Sequence, residues 1–85
     1  MTIKIDKFWY KVDALDKDKK IVYEFYGDFW HGNPEVYDHE DINKVSKISF
    51  KKMYEKTLNK ESILINNGYT VISIWEKDYK KYKNK

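Results

Sequence analysis

A helical stripe that stops at Asn67-Gly68 and runs straight into an uncharged segment constrains this chain more than any other feature. Phe50, Met53, Tyr54, Thr57, Leu58, Leu64 and Ile65 recur at three-to-four spacing and form one apolar stripe. The spacing predicts a helix over about 48–66, with Ser46 or Ser49 as its cap. Asn67-Gly68 ends it. Residues 69–75, Tyr-Thr-Val-Ile-Ser-Ile-Trp, then read as a strand with few polar residues. That apolar density predicts burial on both faces. A helix, a tight turn and such a strand make a crossover unit, so this strand is expected to pair parallel to a neighbour.

Upstream, residues 7–15 are aromatic and β-branched and read as one strand. Asp16-Lys-Asp-Lys-Lys20 is a polar turn. Residues 20–27 hold Ile21, Val22, Tyr23, Phe25 and Tyr26, all good strand formers. A short polar link between two strands predicts an antiparallel hairpin. From Gly27 to about Lys47 the pattern breaks on Gly27, Gly32, Asn33 and Pro34, which predicts a long loop. Long loops in small domains tend to be functional. The tail from Glu76 reads as a short surface helix or a frayed end. The fold class is therefore α/β, in one domain spanning 1–85.

With 85 residues, one domain is the upper bound. Aromatics at 18% and hydrophobics at 41% exclude a disordered tail. There is no cysteine, which excludes a disulfide framework and a thiolate zinc site and suits a reducing compartment. No apolar run approaches the roughly 18 residues needed to span a bilayer. The start lacks the apolar stretch of a signal peptide. The expectation is a chain free of membrane contact, in the cytoplasm of a bacterium or a virus-infected host cell. The net charge of +3 is a weak pointer to polyanions. All 17 basic residues are lysine, so base reading by a bidentate arginine is not available.

Asp13 interrupts an apolar run, and Glu24 follows eleven residues later in the second strand. In a hairpin turning near Lys17–Lys19 the two approach each other. Neighbouring carboxylates repel and raise one another's pKa unless a cation sits between them. Mg²⁺ takes one or two carboxylates, a backbone carbonyl such as that of Phe25, and waters. Such an ion activates water and stabilises charge on a phosphodiester. His31 is a candidate general acid or base near neutral pH. Each feature also has an ordinary structural reading. Strand carboxylates usually face solvent, a loop histidine is usually just exposed, and Phe29 and Trp30 are more often core residues.

Three stretches carry a resemblance: Tyr10-Lys-Val-Asp13; Val22-Tyr-Glu-Phe-Tyr-Gly-Asp-Phe-Trp-His-Gly-Asn-Pro34; and Tyr54-Glu-Lys-Thr57 with Gly68-Tyr69 and Ile74-Trp-Glu76. They resemble the very-short-patch repair endonuclease group of the PD-(D/E)xK, restriction-endonuclease-like nucleases. The likeness is to its phage and large-virus branch, which includes homing-type endonucleases. The resemblance implies a minimal core: the 7–15 and 20–27 hairpin, a long loop, the helix and the third strand, without the usual first helix. It implies Asp13 and Glu24 as metal-binding acids, with the Phe25 carbonyl completing a Mg²⁺ site that Mn²⁺ can also fill. His31 corresponds to the histidine that assists at the scissile phosphate. Trp30 and Phe29 correspond to aromatics at the DNA interface. Tyr26 stands where the family has lysine or histidine, and its phenol, with an ordinary pKa of about 10, is a poor base at neutral pH. Thr57 stands where the repair enzymes place an acid that pairs with a histidine. Lys56 and Lys60, near it on the helix, are candidate phosphate contacts.

The implied activity is metal-dependent hydrolysis of DNA phosphodiester bonds, as a nick or a break in duplex DNA. The alternative is a nuclease-derived DNA-binding or accessory subunit of a larger complex. A homodimer or a partner chain that completes the trimmed sheet also belongs among the expectations, because an open sheet edge invites pairing.

Overall fold

A computed structural model describes residues 1–83. The chain is mixed α/β. Eight elements follow one another: β1 (Thr2–Ile5), β2 (Phe8–Lys11), β3 (Ala14–Asp16), β4 (Ile21–Tyr26), α1 (Asp28–His31), α2 (Phe50–Asn66), β5 (Thr70–Trp75) and α3 (Glu76–Lys83).

The crossover behaves as expected. Ser49 caps α2, its hydroxyl accepting from Lys52 N–H at 3.2 Å. Gly68, at φ +91°, turns the chain, and β5 runs parallel to β4 with Val22 opposite Val71, Glu24 opposite Ser73 and Tyr26 opposite Trp75. β3 pairs antiparallel on the other side, so the sheet order is β3-β4-β5.

The strand expected over 7–15 is two strands. β2 pairs with β1, which precedes it through a turn at Asp6-Lys7, and Asp6 takes φ +56°. Val12 is buried at 3% exposure and Asp13 bends the chain away before β3 begins. The alternation Thr2-Ile3-Lys4-Ile5 was the signal: Ile3 and Ile5 are buried, Thr2 and Lys4 exposed. These isoleucines join Val12, Val22 and Leu64 in the main core, backed by Tyr10, Leu15, Ile63, Tyr69 and Val71.

The stretch expected as a loop from Gly27 to Lys47 opens with the four-residue α1 and is then tied down by asparagines. Asn33 donates to the Asp28 carboxylate at 2.8 Å and accepts from Glu35 N–H at 3.0 Å. Asn43, fully buried, accepts from Val45 and Ser46 N–H and donates to the Phe29 carbonyl. Gly32 has φ +65°, and a Cβ there would lie 2.2 Å from the Phe50 carbonyl oxygen, so the loop lies directly on α2.

Burial of β5 on both faces is not what the structure has. None of its six residues is buried, and Ile72 and Ile74 are 49% and 39% exposed. The reason is position: α2 packs on one face of the sheet only, and β5 is at its edge, with β4 as its one strand neighbour among the described residues. Tyr23, Phe25, Ile72 and Ile74 share the uncovered face, where Tyr79 of α3 meets Phe25 edge-on at 5.6 Å. Among the described residues, no helix is long and apolar enough to cross a membrane.

Candidate active site

Glu24 occupies the middle of β4 on the side that faces α2, and its burial follows from strand alternation: Val22, Glu24 and Tyr26 all point into the protein. A buried carboxylate needs a counter-charge. Lys60 supplies it from α2, its Nζ 3.1 Å from Glu24 Oε1. The same ammonium also donates to the Lys11 carbonyl. Burial pushes the Glu24 carboxyl above its ordinary value; Lys60 opposes this, and Asp13 and Glu61 add to it.

Asp13 stands where β3 would have continued opposite Glu24. The chain bends there, and the carboxylate substitutes for the missing ladder by accepting from Phe25 N–H at 2.7 Å. In a strand, a residue's N–H and C=O lie on the same edge. The Phe25 carbonyl is therefore on the edge that Asp13 occupies, two residues beyond Tyr23, where β3 stops pairing. Two acids and this carbonyl thus converge at one end of β3.

His31 ends α1 and reaches across to α2. Its Nδ1 is 2.8 Å from Thr57 Oγ1, while the Thr57 hydroxyl donates to the Met53 carbonyl at 3.1 Å. That hydroxyl proton is spent, so Thr57 accepts and His31 Nδ1 donates. In the neutral ring this leaves Nε2 unprotonated, the form a general base needs. Burial first, and then Lys60, lower the His31 pKa below its ordinary value, against a raising effect of Asp13. The ring packs 4.7 Å from Tyr26.

Tyr26 is buried at 2% exposure and donates to Glu61 Oε1 at 2.9 Å. Burial, with the Glu61 hydrogen bond behind it, pushes the phenol upward, so Tyr26 stays neutral and is no base. The cation beside these acids is Lys60, from α2.

The expected site residues therefore fall into two groups. Asp13, Glu24, the Phe25 backbone, Tyr26, His31 and Lys60 are brought together. An open cleft of about 290 Å³ beside them is lined by Tyr26, Trp30, His31, Met53, Lys56 and Lys60. Trp30, 57% exposed, forms its rim. Phe29 lies apart, half-buried edge-on against Trp30, Tyr37 and Phe50, where it anchors the loop to α2. Glu61 is the residue that sequence reasoning missed. It lies one position from Lys60, and only the fold brings it to Tyr26.

The donor set of two carboxylates and a carbonyl fits a hard divalent ion that keeps several waters. Among the described residues, no three His, Asp or Glu side chains gather as a ready metal cage. Asp13, Glu24 and the Phe25 carbonyl would hold such an ion, with Lys60 giving up part of Glu24. In comparisons with protein families, curated proteins and solved structures, nothing matches this chain.

Proposed function

We propose that this chain is a Mg²⁺-dependent DNA endonuclease with a minimal restriction-endonuclease-like core. One observation carries the reading: a buried acid, Glu24, and a second acid, Asp13, stand at the same strand end, with a lysine and a base-form histidine beside them. A bound divalent ion would supply an activated water and charge stabilisation at the phosphoryl group. Asp13 and Glu24 would hold that ion. Lys60 Nζ offers positive charge toward the negative charge that grows on the phosphate in the transition state. His31 Nε2 accepts a proton from the attacking water. Thr57 keeps the histidine in the required tautomer. Trp30 and Lys56, on the cleft rim, fit a nucleic-acid strand by stacking and by phosphate attraction.

The test is nicking of supercoiled plasmid with Mg²⁺ or Mn²⁺. Cleavage by the native chain that Asp13→Ala abolishes is the expected result. No cleavage of plasmid, linear duplex or single-stranded DNA in either metal would sink the reading. A second reading, a DNA-holding module that does not cut, is favoured by one fact: Lys60 already neutralises Glu24 without any ion. In that case binding falls steeply with salt and does not respond to metal.

A further inference from the structure

β5 has the sequence of an interior strand and the position of an edge strand. Thr70-Val-Ile-Ser-Ile-Trp75 contains no charge, no proline and no glycine, the usual devices by which an edge avoids pairing. β4 is its only strand neighbour among the described residues, and no residue of β5 is buried.

The direction of its free hydrogen-bonding groups follows from one bond. Thr70 N–H donates to the Lys20 carbonyl at 2.9 Å, so Thr70, Ile72 and Ile74 turn their backbone groups toward β4. By alternation Val71, Ser73 and Trp75 direct theirs outward. A second β5 laid antiparallel and centred on Ser73 places Ser73 opposite Ser73, and Val71 opposite Trp75. All three outward residues of each copy are then matched in hydrogen-bonded pairs, two bonds to each pair. Centring on Ile72 or Ile74 leaves an outward residue unmatched within the strands. The same register sets Ile72 against Ile74 and joins the two uncovered faces into one apolar surface.

Charge agrees with this arrangement. No like charges meet along the strands. At each end, Thr70 of one copy meets the start of α3 of the other. The Lys20 ammonium, which lies 5.2 Å over the Tyr69 ring, then comes to the same end as the partner's Glu76.

We infer that β5 is a self-pairing edge, and that two copies of this chain associate through antiparallel β5–β5 pairing centred on Ser73. The inference is independent of the nuclease reading, since it uses no residue of the candidate active site. A strand edge is small beside the standard interface of about 800 Å² per partner, so the association is concentration-dependent.

The test uses the native chain and four single variants. Sedimentation equilibrium of the native chain is expected to rise with concentration from the 10.4 kDa monomer toward twice that mass. Ser73→Pro removes a donor that β4 does not use, a placement proline tolerates on an edge strand. It is expected to keep its circular dichroism and stay monomeric. Ser73→Cys adds the only thiol in the chain. Hydrogen-bonded antiparallel pairs have Cα atoms about 5.5 Å apart, within disulfide reach. Val71→Cys instead leaves its two copies about 14 Å apart along the strands. Mild oxidation should therefore crosslink Ser73→Cys at least about tenfold faster than Val71→Cys or the exposed α2 control Asn59→Cys. A native chain monomeric throughout, association retained in folded Ser73→Pro, or equal crosslinking of the three cysteine variants would each overturn the inference.

Discussion

β4 and β5 are neighbours of equal length, paired in register over six residues, and they are built on opposite plans. β4 alternates: Val22, Glu24 and Tyr26 are buried while Tyr23 and Phe25 are exposed. It carries a charge into the interior and aromatics into solvent. β5 is apolar nearly throughout and buries nothing fully. The contrast shows that residue type does not decide burial in a small sheet. Position decides it. α2 seals Glu24 with Lys60, whereas at β5 it meets Trp75 through Tyr54 and leaves every residue of the strand at least partly exposed. A polar residue buried at such cost points to chemistry, and apolar residues left exposed point to a missing neighbour.

The most severe break in that comparison is at Glu24 itself. Glu24→Gln keeps the shape, removes the charge and is expected to lower metal-dependent nicking by on the order of 10³-fold, by analogy with loss of one strong transition-state contact. Plasmid-nicking rates under single-turnover conditions measure it. Retention of native rates in Glu24→Gln would leave β4 with a structural acid only.

Next is the stability difference between register partners. Val22, with 0% exposure, loses two buried methyl-sized groups in Val22→Ala, about 2 kcal/mol with the cavity included. Val71→Ala, on half-buried β5, should cost roughly half of that. Urea unfolding at low protein concentration gives both values, and equal costs would erase the distinction between the strands. Leu64→Ala, on the α2 face that covers β4, should be larger than either, about 2–5 kcal/mol.

A subtler probe concerns the histidine beside β4. Thr57→Val removes the acceptor that holds Nδ1–H and is expected to reduce nicking about tenfold to a hundredfold, the usual cost of losing an orienting partner. Because the His31 pKa is lowered, nicking should rise with pH to a plateau, with its midpoint below the ordinary histidine value of 6.5. A midpoint above 6.5 would remove the histidine from the base role.

The smallest effect is on equilibrium stability against pH. The unfolded His31 takes up a proton below about 6.5 that the folded ring resists, so stability falls as pH drops through that value. Glu24 works in the opposite sense: its raised pKa makes the folded chain hold a proton that the unfolded chain has released. Stability therefore falls as pH rises from the ordinary 4.5 through the raised value. His31→Gln should remove the first slope and leave the second, as read from urea midpoints between pH 4 and 7.

Local pattern was enough for α2 and its Gly68 stop, for β4, and for the parallel approach of β5, while the structure chose Ser49 over Ser46 as the cap. Those features rest on contacts within a few residues or on periodicity along one element. The approach of Asp13 to Glu24 was also readable, since a hairpin with a short turn leaves few alternatives. It placed Asp13 inside a strand, however, whereas the chain bends there and the carboxylate, not the backbone, caps β4.

By itself, the sequence determined α2, β4, β5 and the closeness of the two acids, because strand alternation and helix spacing are local properties of the chain. Tertiary structure decided the rest. It split residues 7–15 between two sheets, because Val12 had a core to enter. It brought Lys60 to Glu24 and Glu61 to Tyr26 across 36 and 35 residues, because α2 folds back over β4. It left an interior-type strand at an edge, because burial depends on what lies beside a strand, and nothing within β5 specifies its neighbour.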